Sequence, residues 1–399
     1  MNTKIILLFL FAAVCNAQFN SNISFSSYYD DNLFRSPFQS EDIVSDMDIT
    51  LGYKINNTNF EISYNPDFIF FTDFSERNFS THSVGFNYFK PLNKSGLNTF
   101  YIGADYTKRI NKDIFNFYDY NQYYAYLNAR FDLDLFFLKI GYNFRNREYS
   151  NFTDLTNYQH YIFAQMNKAF PTRTSVIVEA DLGNKSFEGY QTLTSVYKNY
   201  DSNYGYGGRG KGMGSGEVIV TEDTTYTTVT RLLEKPKLNH IVLLARVAQS
   251  LHTKLGIFVQ YRQQISLTDQ TNYMNSDAYF QDEEIFDDPF SYESQGFSSQ
   301  LTWIMPLNVK FQLGGGYTSK QYISEKSYIS AEDSVASGPV REDQRSFIYL
   351  NLSKTINFNK SWINNLDLSL NFNYGRNESN SYWYDYKNSV FGGGITWKF

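Results

Sequence analysis

Beyond its first 17 residues the chain holds no run of 18 apolar residues, yet apolar side chains recur at every second position over one segment of about ten residues after another. This excludes transmembrane helices and selects strands whose two faces differ. In 98–110, Phe100, Ile102, Ala104 and Tyr106 alternate with Thr99, Tyr101, Gly103, Asp105 and Thr107. In 135–147, Phe136, Leu138, Ile140, Tyr142 and Phe144 alternate with Lys139, Gly141, Asn143, Arg145 and Arg147. Leu255, Ile257, Val259 and Tyr261 stand against Lys254, Gly256, Gln260 and Arg262 in the same way, and 308–322 and 364–378 repeat the pattern. A soluble sandwich would turn the apolar face inward. A membrane barrel turns it to lipid and lines its lumen with the polar face, and only closure satisfies every backbone group in lipid.

Composition agrees. The 399 residues include 34 Tyr, 36 Phe and 4 Trp and carry a net charge of -6, with 42% hydrophobic residues but a mean hydropathy of -0.45. Apolar material is therefore dispersed through a polar chain. Abundant Phe and Tyr argue against disorder, and acidity without a basic cluster argues against a nucleic-acid partner.

Both ends carry signals. Lys4, the apolar stretch 5–14 and the small residues of Cys15-Asn16-Ala17 read as a secretory signal peptide over 1–17. Cleavage there leaves 382 of the 399 residues, without a thiol and at net charge -7, because Cys15 is the only Cys and Lys4 is lost. Reading Cys15 as an acylated lipoprotein cysteine suits Ala12-Ala13-Val14 poorly. At the other end, Phe391, Ile395, Trp397 and the final Phe399 share one face of a strand whose other face is Gly392, Gly394, Thr396 and Lys398. An amphipathic last strand ending in an aromatic residue resembles the C-terminal signal of bacterial outer-membrane barrels, which the barrel-assembly machinery of such proteins reads. The rival reading is a sandwich edge strand that happens to end in Phe.

Connections set the strand count. Short turns are expected at 56–58, 91–97, 132–134, 170–172, 250–252, 306–307 and 357–363. Longer polar links are expected at 30–41, 74–77, 111–118, 150–154, 188–236, 268–290, 323–340 and 379–385. Their alternation predicts an all-β, antiparallel up-and-down transmembrane barrel of about 16 strands over 18–399. The 188–236 region reads as a protruding extracellular loop or hairpin or as two more spanning strands, which leaves 14 or 18 open.

No enzyme constellation stands out. His82, His160, His240 and His252 lie in strand or turn patterns without metal-site spacing, and the Gly-rich stretch 205–216 lacks the Gly-Lys-Ser/Thr ending of a phosphate loop. No catalytic residue, metal or cofactor is expected. Parity turns Glu61, Asp67, Asp105, Glu179 and Asp181 inward in the first half, and Arg246, Lys254, Arg262, Lys310 and Lys320 inward in the second. Acids and bases facing one another would set a transverse field across a pore; the plainer reading is solvated wall charges without selectivity. Asp282, Glu283, Glu284, Asp287 and Asp288 form an acidic loop patch, solvated or set against divalent ions or lipopolysaccharide. Aromatic clusters such as Phe68, Phe70, Phe71 and Phe74, Tyr118, Tyr120, Tyr123 and Tyr124, and Tyr382, Trp383, Tyr384 and Tyr386 read as girdles at the headgroup level, with a sugar-stacking platform as the alternative.

The stretch Ser27-Tyr28-Tyr29-Asp30-Asp31-Asn32-Leu33-Phe34-Arg35, followed by strands through Gly52-Tyr53 and Phe60-Glu61-Ile62-Ser63-Tyr64, resembles a family of Gram-negative outer-membrane β-barrel porins. The resemblance covers about 20–90 and elsewhere extends only to barrel periodicity. It implies an outer-membrane pore without catalytic residues to carry over. The expected activity is passive diffusion of small hydrophilic solutes, with both termini periplasmic and lipid and lipopolysaccharide as neighbours. The alternative is a non-conducting barrel in surface binding or in polysaccharide or protein export. A homo-oligomer is compatible with either.

Overall fold

The computed structural model describes residues 19–55, 58–187, 190–200, 224–234, 237–268, 287–333, 335–360 and 363–399. The expected signal peptide with Cys15, the stretch 205–216 and Asp282, Glu283 and Glu284 lie outside them.

The strands are β1 (Phe19–Asp30), β2 (Asp42–Lys54), β3 (Phe60–Phe71), β4 (Phe79–Pro91), β5 (Thr99–Asn111), β6 (Tyr120–Asp132), β7 (Phe137–Tyr149), β8 (Asn157–Ala169) and β9 (Thr174–Phe187). After β10 (Tyr190–Tyr200) and β11 (Thr224–Glu234) come β12 (Leu238–His252), β13 (Leu255–Ser266), β14 (Tyr292–Ile304), β15 (Lys310–Lys326), β16 (Val340–Lys360), β17 (Ile363–Ser379) and β18 (Tyr386–Lys398). Among the described residues, sixteen of them form one closed antiparallel barrel in chain order, in which β18 pairs with both β17 and β1.

Of the 188–236 region, the described strands β10 and β11 form a two-stranded sheet separate from the barrel sheet. β9 pairs directly with β12, from Lys185 against Leu238 to Thr174 against Gln249, so the barrel closes without β10 and β11. Those two pair with each other from Tyr190 against Glu234 to Tyr200 against Thr224 and form a unit of their own.

Faces follow the pleat. Ile62, Tyr64 and Phe70 on β3, Val84 and Phe86 on β4, Ile140 and Tyr142 on β7, and Leu370, Phe372 and Tyr374 on β17 are exposed on the outside. Their sequence neighbours Ser63, Gly85, Gly141, Asn371 and Asn373 occupy the inside face. The arrangement inverts a soluble core: the barrel presents apolar side chains outward, where only lipid removes them from water.

Two turns differ from expectation. β12 continues through 250–252 to His252 past a register shift, leaving a two-residue turn at 253–254. β16 runs to Lys360 and β17 starts at Ile363, so most of the expected 357–363 link is strand. Alternation persists through Ile356 and Phe358, and polar Asn and Lys at a strand end do not break a ladder whose carbonyls and amides are paired.

Buried side chains gather at one end, that of the longer connections. Tyr118, Leu155, Phe290, Tyr328 and Tyr384, each in a connection or at its edge, are buried there, together with Asn32, Asp42, Ser327 and Ser381. Polar groups hold this packing in place. Asp42 accepts from the backbone amides of Thr72, Asp73 and Phe74 at 3.0–3.2 Å, and the Asn32 amide donates to the carbonyls of Ser36 and Lys387 at 2.8 and 2.9 Å.

Closure makes a simple prediction. Removing 395–399 strips β1 of its partners at Asn22, Ile23, Ser24 and Phe25, together with the bond from the Phe399 amide to the Ser21 carbonyl. The truncated chain is expected to lose the compact form seen as faster migration of unheated samples in detergent electrophoresis; undiminished migration would contradict an essential β1/β18 seam.

Candidate functional site: the interior wall and its inward-folded connections

The interior face carries charges of both signs. Glu61 accepts from Asn20 at 3.3 Å, and Asp105 accepts from Thr107 at 3.3 Å. Asp67 is in register with Asp48 across β2 and β3, and Asp46 lies on the same face of β2. Glu179 accepts from Gln165, while Asp181 sits between Phe163 on β8 and Val242 on β12. Arg246 donates to Gln260 at 2.5 and 2.8 Å, with its guanidinium 4.6 Å from the Phe258 ring centre, and Arg262 donates to Gln264 at 3.0 Å. Lys254 lies in the 253–254 turn and Lys310 opens β15, both exposed. Lys320 is buried and ion-paired to Asp287.

The signs are not divided into halves. Arg109 on β5, Arg130 on β6, Lys139, Arg145 and Arg147 on β7 and Lys185 on β9 share the inward parity of the first nine strands. Arg145 donates to Gln159 at 2.7 Å, and Arg147 donates to Gln122 at 3.0 and 3.1 Å. The acids concentrate instead on β2 and β3, where Asp46 and Asp48 join Asp67. Sequence reasoning passed over Asp46 and Asp48, although Met47, Ile49, Leu51 and Tyr53 alternate with them and carried the signal.

Asp287 and Asp288 are not a solvated patch. The segment 287–291 turns into the barrel mouth, where Phe290 is 2% exposed and stacks on His240 with ring centres 4.1 Å apart. Lys185 pairs with Asp288 at 2.6 Å. The Asp288 side chain also caps the helical turn Pro289–Ser291 by accepting from the Phe290 amide at 3.0 Å. Asp287 takes Lys320 as its ion partner and accepts from the Tyr322 hydroxyl at 2.7 Å. Two cations that the wall supplies, Lys185 and Lys320, thus draw two loop carboxylates inward.

Beside them lies a denser cluster. Arg341 is 2% exposed, clasps Asp343 with contacts of 3.0 and 2.5 Å, and reaches Glu325 at 2.9 Å. Its guanidinium lies 4.1 Å from the ring centre of Tyr322 and 3.3 Å from that of Tyr384. Asp343 shares β16 with Arg341, Glu325 and Tyr322 come from β15, and Tyr384 comes from the connection before β18, so the cluster ties two strands and a connection together at the mouth. Tyr118, Tyr384 and Tyr386 are therefore not girdle residues: they are 1%, 3% and 8% exposed, Tyr118 and Tyr384 drawn inside by the connections that carry them and Tyr386 turned inward at the start of β18 opposite Asn377. Phe70 and Tyr123 are exposed outward, as a girdle requires. In the last strand Phe391, Ile395 and Phe399 are exposed on the outer face, and Trp397 shares that parity.

Among the described residues no group of three or more His, Cys, Asp or Glu is arranged to hold a metal ion.

The sequence matches no protein-family model and no curated protein. Solved structures are similar in fold. A structure described as a bacterial polysaccharide outer membrane secretin aligns over 95% of this chain and 98% of its own, with a TM-score of 0.50 and 10% identity. Pseudomonas aeruginosa OpdK with vanillate aligns over 96% and 99%, with a TM-score of 0.48 and 7% identity. Outer-membrane expressed OmpT of Vibrio cholerae aligns over 96% and 97%, with a TM-score of 0.42 and 11% identity. At 10% identity the first of these establishes the fold alone: a closed antiparallel barrel of the outer-membrane kind.

Two predictions follow from the mouth. Arg341→Met leaves the Glu325 and Asp343 carboxylates buried without their cation, and denaturant unfolding in detergent is expected to show a loss of about 3–5 kcal/mol; a change near zero would contradict the cluster's role. The second concerns pH. Burial pushes the Asp287 carboxyl up, but the Lys320 and Arg341 cations and the hydrogen bonds from Lys320 and Tyr322 outweigh it and hold its pKa at about 2, below the ordinary 3.8. A lowered folded-state value stabilises the docked segment fully above pH 4 and loses that contribution, about 2 kcal/mol, as pH falls from about 4 toward 2. Protease cleavage within 287–291 should rise over that window and stay flat from pH 5 to 8, and Asp287→Asn should be cleaved readily at both ends of the range.

Proposed function

We propose that this chain is an outer-membrane, porin-like channel for passive diffusion of small hydrophilic solutes. The observation that carries the reading is the sixteen-strand closed barrel with its apolar side chains outside and charged and carboxamide side chains inside. Eight strands leave an interior that side chains fill, whereas sixteen leave an aqueous lumen. In this reading Glu61, Asp67, Asp105, Glu179, Asp181, Arg246, Lys254, Arg262, Lys310 and Lys320 line the pore, with Asp46 and Asp48 added on β2. Lys320 acts there by holding Asp287 at the mouth. The short turns and both termini are periplasmic and the longer connections extracellular, with Phe391, Ile395, Trp397 and Phe399 read by the assembly machinery before they meet lipid.

The second reading, a barrel that does not conduct and serves in surface binding or in polysaccharide or protein export, draws on the same mouth. Buried inward connections, with Phe290 seated on His240, narrow the entrance, and a fully closed mouth would make the barrel a scaffold. The solved structure described as a polysaccharide secretin shares the fold and supports nothing finer.

Planar-bilayer recording of the refolded mature protein separates the two. The channel reading expects stable ohmic steps, and a reversal potential in a salt gradient that shifts toward anion preference when Asp46, Asp48 and Asp67 are all changed to Asn. Silence from correctly folded protein would move the assignment to the non-conducting class.

A further inference from the structure

Four interior aromatic rings lie along the wall, each with its far end over a glycine of the neighbouring strand. A Cβ added at Gly103 would fall 2.6 Å from Cε1, Cζ and Oη of Tyr126. At Gly141 it would fall 2.1 Å from Oδ1 of Asn128 and 2.5–2.6 Å from Cε1 and Cζ of Phe163. Gly314 lies under Tyr349 at 2.4–2.6 Å and Gly316 under Phe347 at 2.8–2.9 Å. A ring laid down this way buries one face against backbone and turns the other to the channel.

Register places polar groups between these rings. Gly103, Tyr126, Asn143, Tyr161 and Gly183 pair in sequence across β5, β6, β7, β8 and β9. One step nearer the short turns, Asn128, Gly141, Phe163 and Asp181 pair across β6, β7, β8 and β9. In the first row two rings flank the Asn143 carboxamide, and in the second Phe163 stands beside the Asp181 carboxylate. On the far side of the barrel, Phe347 and Tyr349 on β16 are near-parallel at 13° with centres 6.3 Å apart, and the Tyr349 hydroxyl donates to Gln300 at 2.5 Å, which holds the ring down.

We infer that this wall is a saccharide track, on which linear hexopyranose oligomers slide with their rings stacked on the aromatic faces. The inference deepens the channel reading and rests on it. A pyranose has one apolar face of C–H groups that suits the electron-rich face of Tyr or Phe, and an equatorial belt of hydroxyls that both donate and accept. Asn143 and Asp181 stand beside the rings to meet that belt. An apolar solute would leave those polar groups unpaired, and a bare ion has no use for flat rings. Several weak, repeated contacts favour transit over capture, because a solute that binds at many equivalent steps can enter and still leave.

The test uses the refolded mature protein in a planar bilayer, with maltohexaose and cellotetraose as probes and polyethylene glycol of equal mass as control. At least one sugar is expected to interrupt the current in resolved events, and polyethylene glycol is not. Changing Tyr126 and Phe163 together to Ala should shorten the sugar residence time about tenfold while the open conductance is kept or raised. Tyr126→Phe with Phe163→Tyr should keep the residence time close to that of the parent. Should the alanine pair fail to assemble, as judged by its unheated electrophoretic mobility, Tyr126→Leu with Phe163→Leu fills the same space without a ring and is expected to show the same loss. An open channel indifferent to both sugars, or blockade that survives loss of the rings, overturns the track and leaves the channel reading standing. A folded but silent protein overturns both.

Discussion

Every strand of this barrel depends on one requirement: in lipid, no backbone amide or carbonyl can go unpaired. The pairing of β18 with β1 meets it, because an open sheet of the same sixteen strands would present two unsatisfied edges to hydrocarbon. Once closure is imposed, the period of two fixes the rest. Leu370 must point out if Ser369 and Asn371 point in, and a one-residue slip would exchange the lipid face with the lumen. The outer face then needs only to be apolar, whereas the inner face is left to charge, carboxamide and glycine.

The two ends of the barrel solve different problems. Short turns such as 133–136 and 170–173 close with a residue in the left-handed region, Asp134 at φ 61° and Arg173 at φ 62°, and bury little. The opposite end carries the longer connections, and their polar backbone must be satisfied wherever it turns inward. It is here that Asp42 collects three backbone amides and Arg341 holds two carboxylates. Buried ion pairs of this kind contribute little net stability against apolar substitutes, but they impose one arrangement, since losing any partner strands a charge. The cluster thus holds the mouth of the barrel in one shape. The 287–291 segment links the mouth to the wall: Phe290 rests on His240, whose ring also neighbours Tyr161 on β8.

Much of the fold was legible because membrane strands must alternate, and alternation survives in a single sequence. β5, β7, β13, β15 and β17 were readable from Phe, Ile, Leu and Tyr at every second place, and the link pattern supplied an even count. Boundaries slipped where polar residues continue a strand, as at Ser250 and His252 or Asn357 and Lys360. The interior wall was legible only as parity. Parity places Asp105 or Arg246 inside but says nothing of Gln260 or Phe258, which only the strand register brings beside Arg246. The mouth was not legible at all. Glu325 meets Arg341 and Asp343 only across a connection, and Asp287 arrives from a separate one, so the spacing of Arg341 and Asp343 on β16 does not by itself announce the cluster. An acidic run such as 282–288 looks solvated until the buried cations that claim part of it are known. Parity places Gly103 and Gly314 on the polar face, but their fit under Tyr126 and Tyr349 exists only across strands.

The most direct measurement of the central claim is aqueous accessibility along one strand of the assembled protein. Cys15 is the only cysteine of the chain and falls within the expected signal peptide, so single cysteines can be placed one at a time along 368–373 of β17. In lipid vesicles, a charged, membrane-impermeant thiol reagent should label Ser369→Cys, Asn371→Cys and Asn373→Cys and spare Leu368→Cys, Leu370→Cys and Phe372→Cys. Labelling without that period of two, or labelling confined to the Leu and Phe positions, would contradict a water-filled barrel with its apolar face in the membrane.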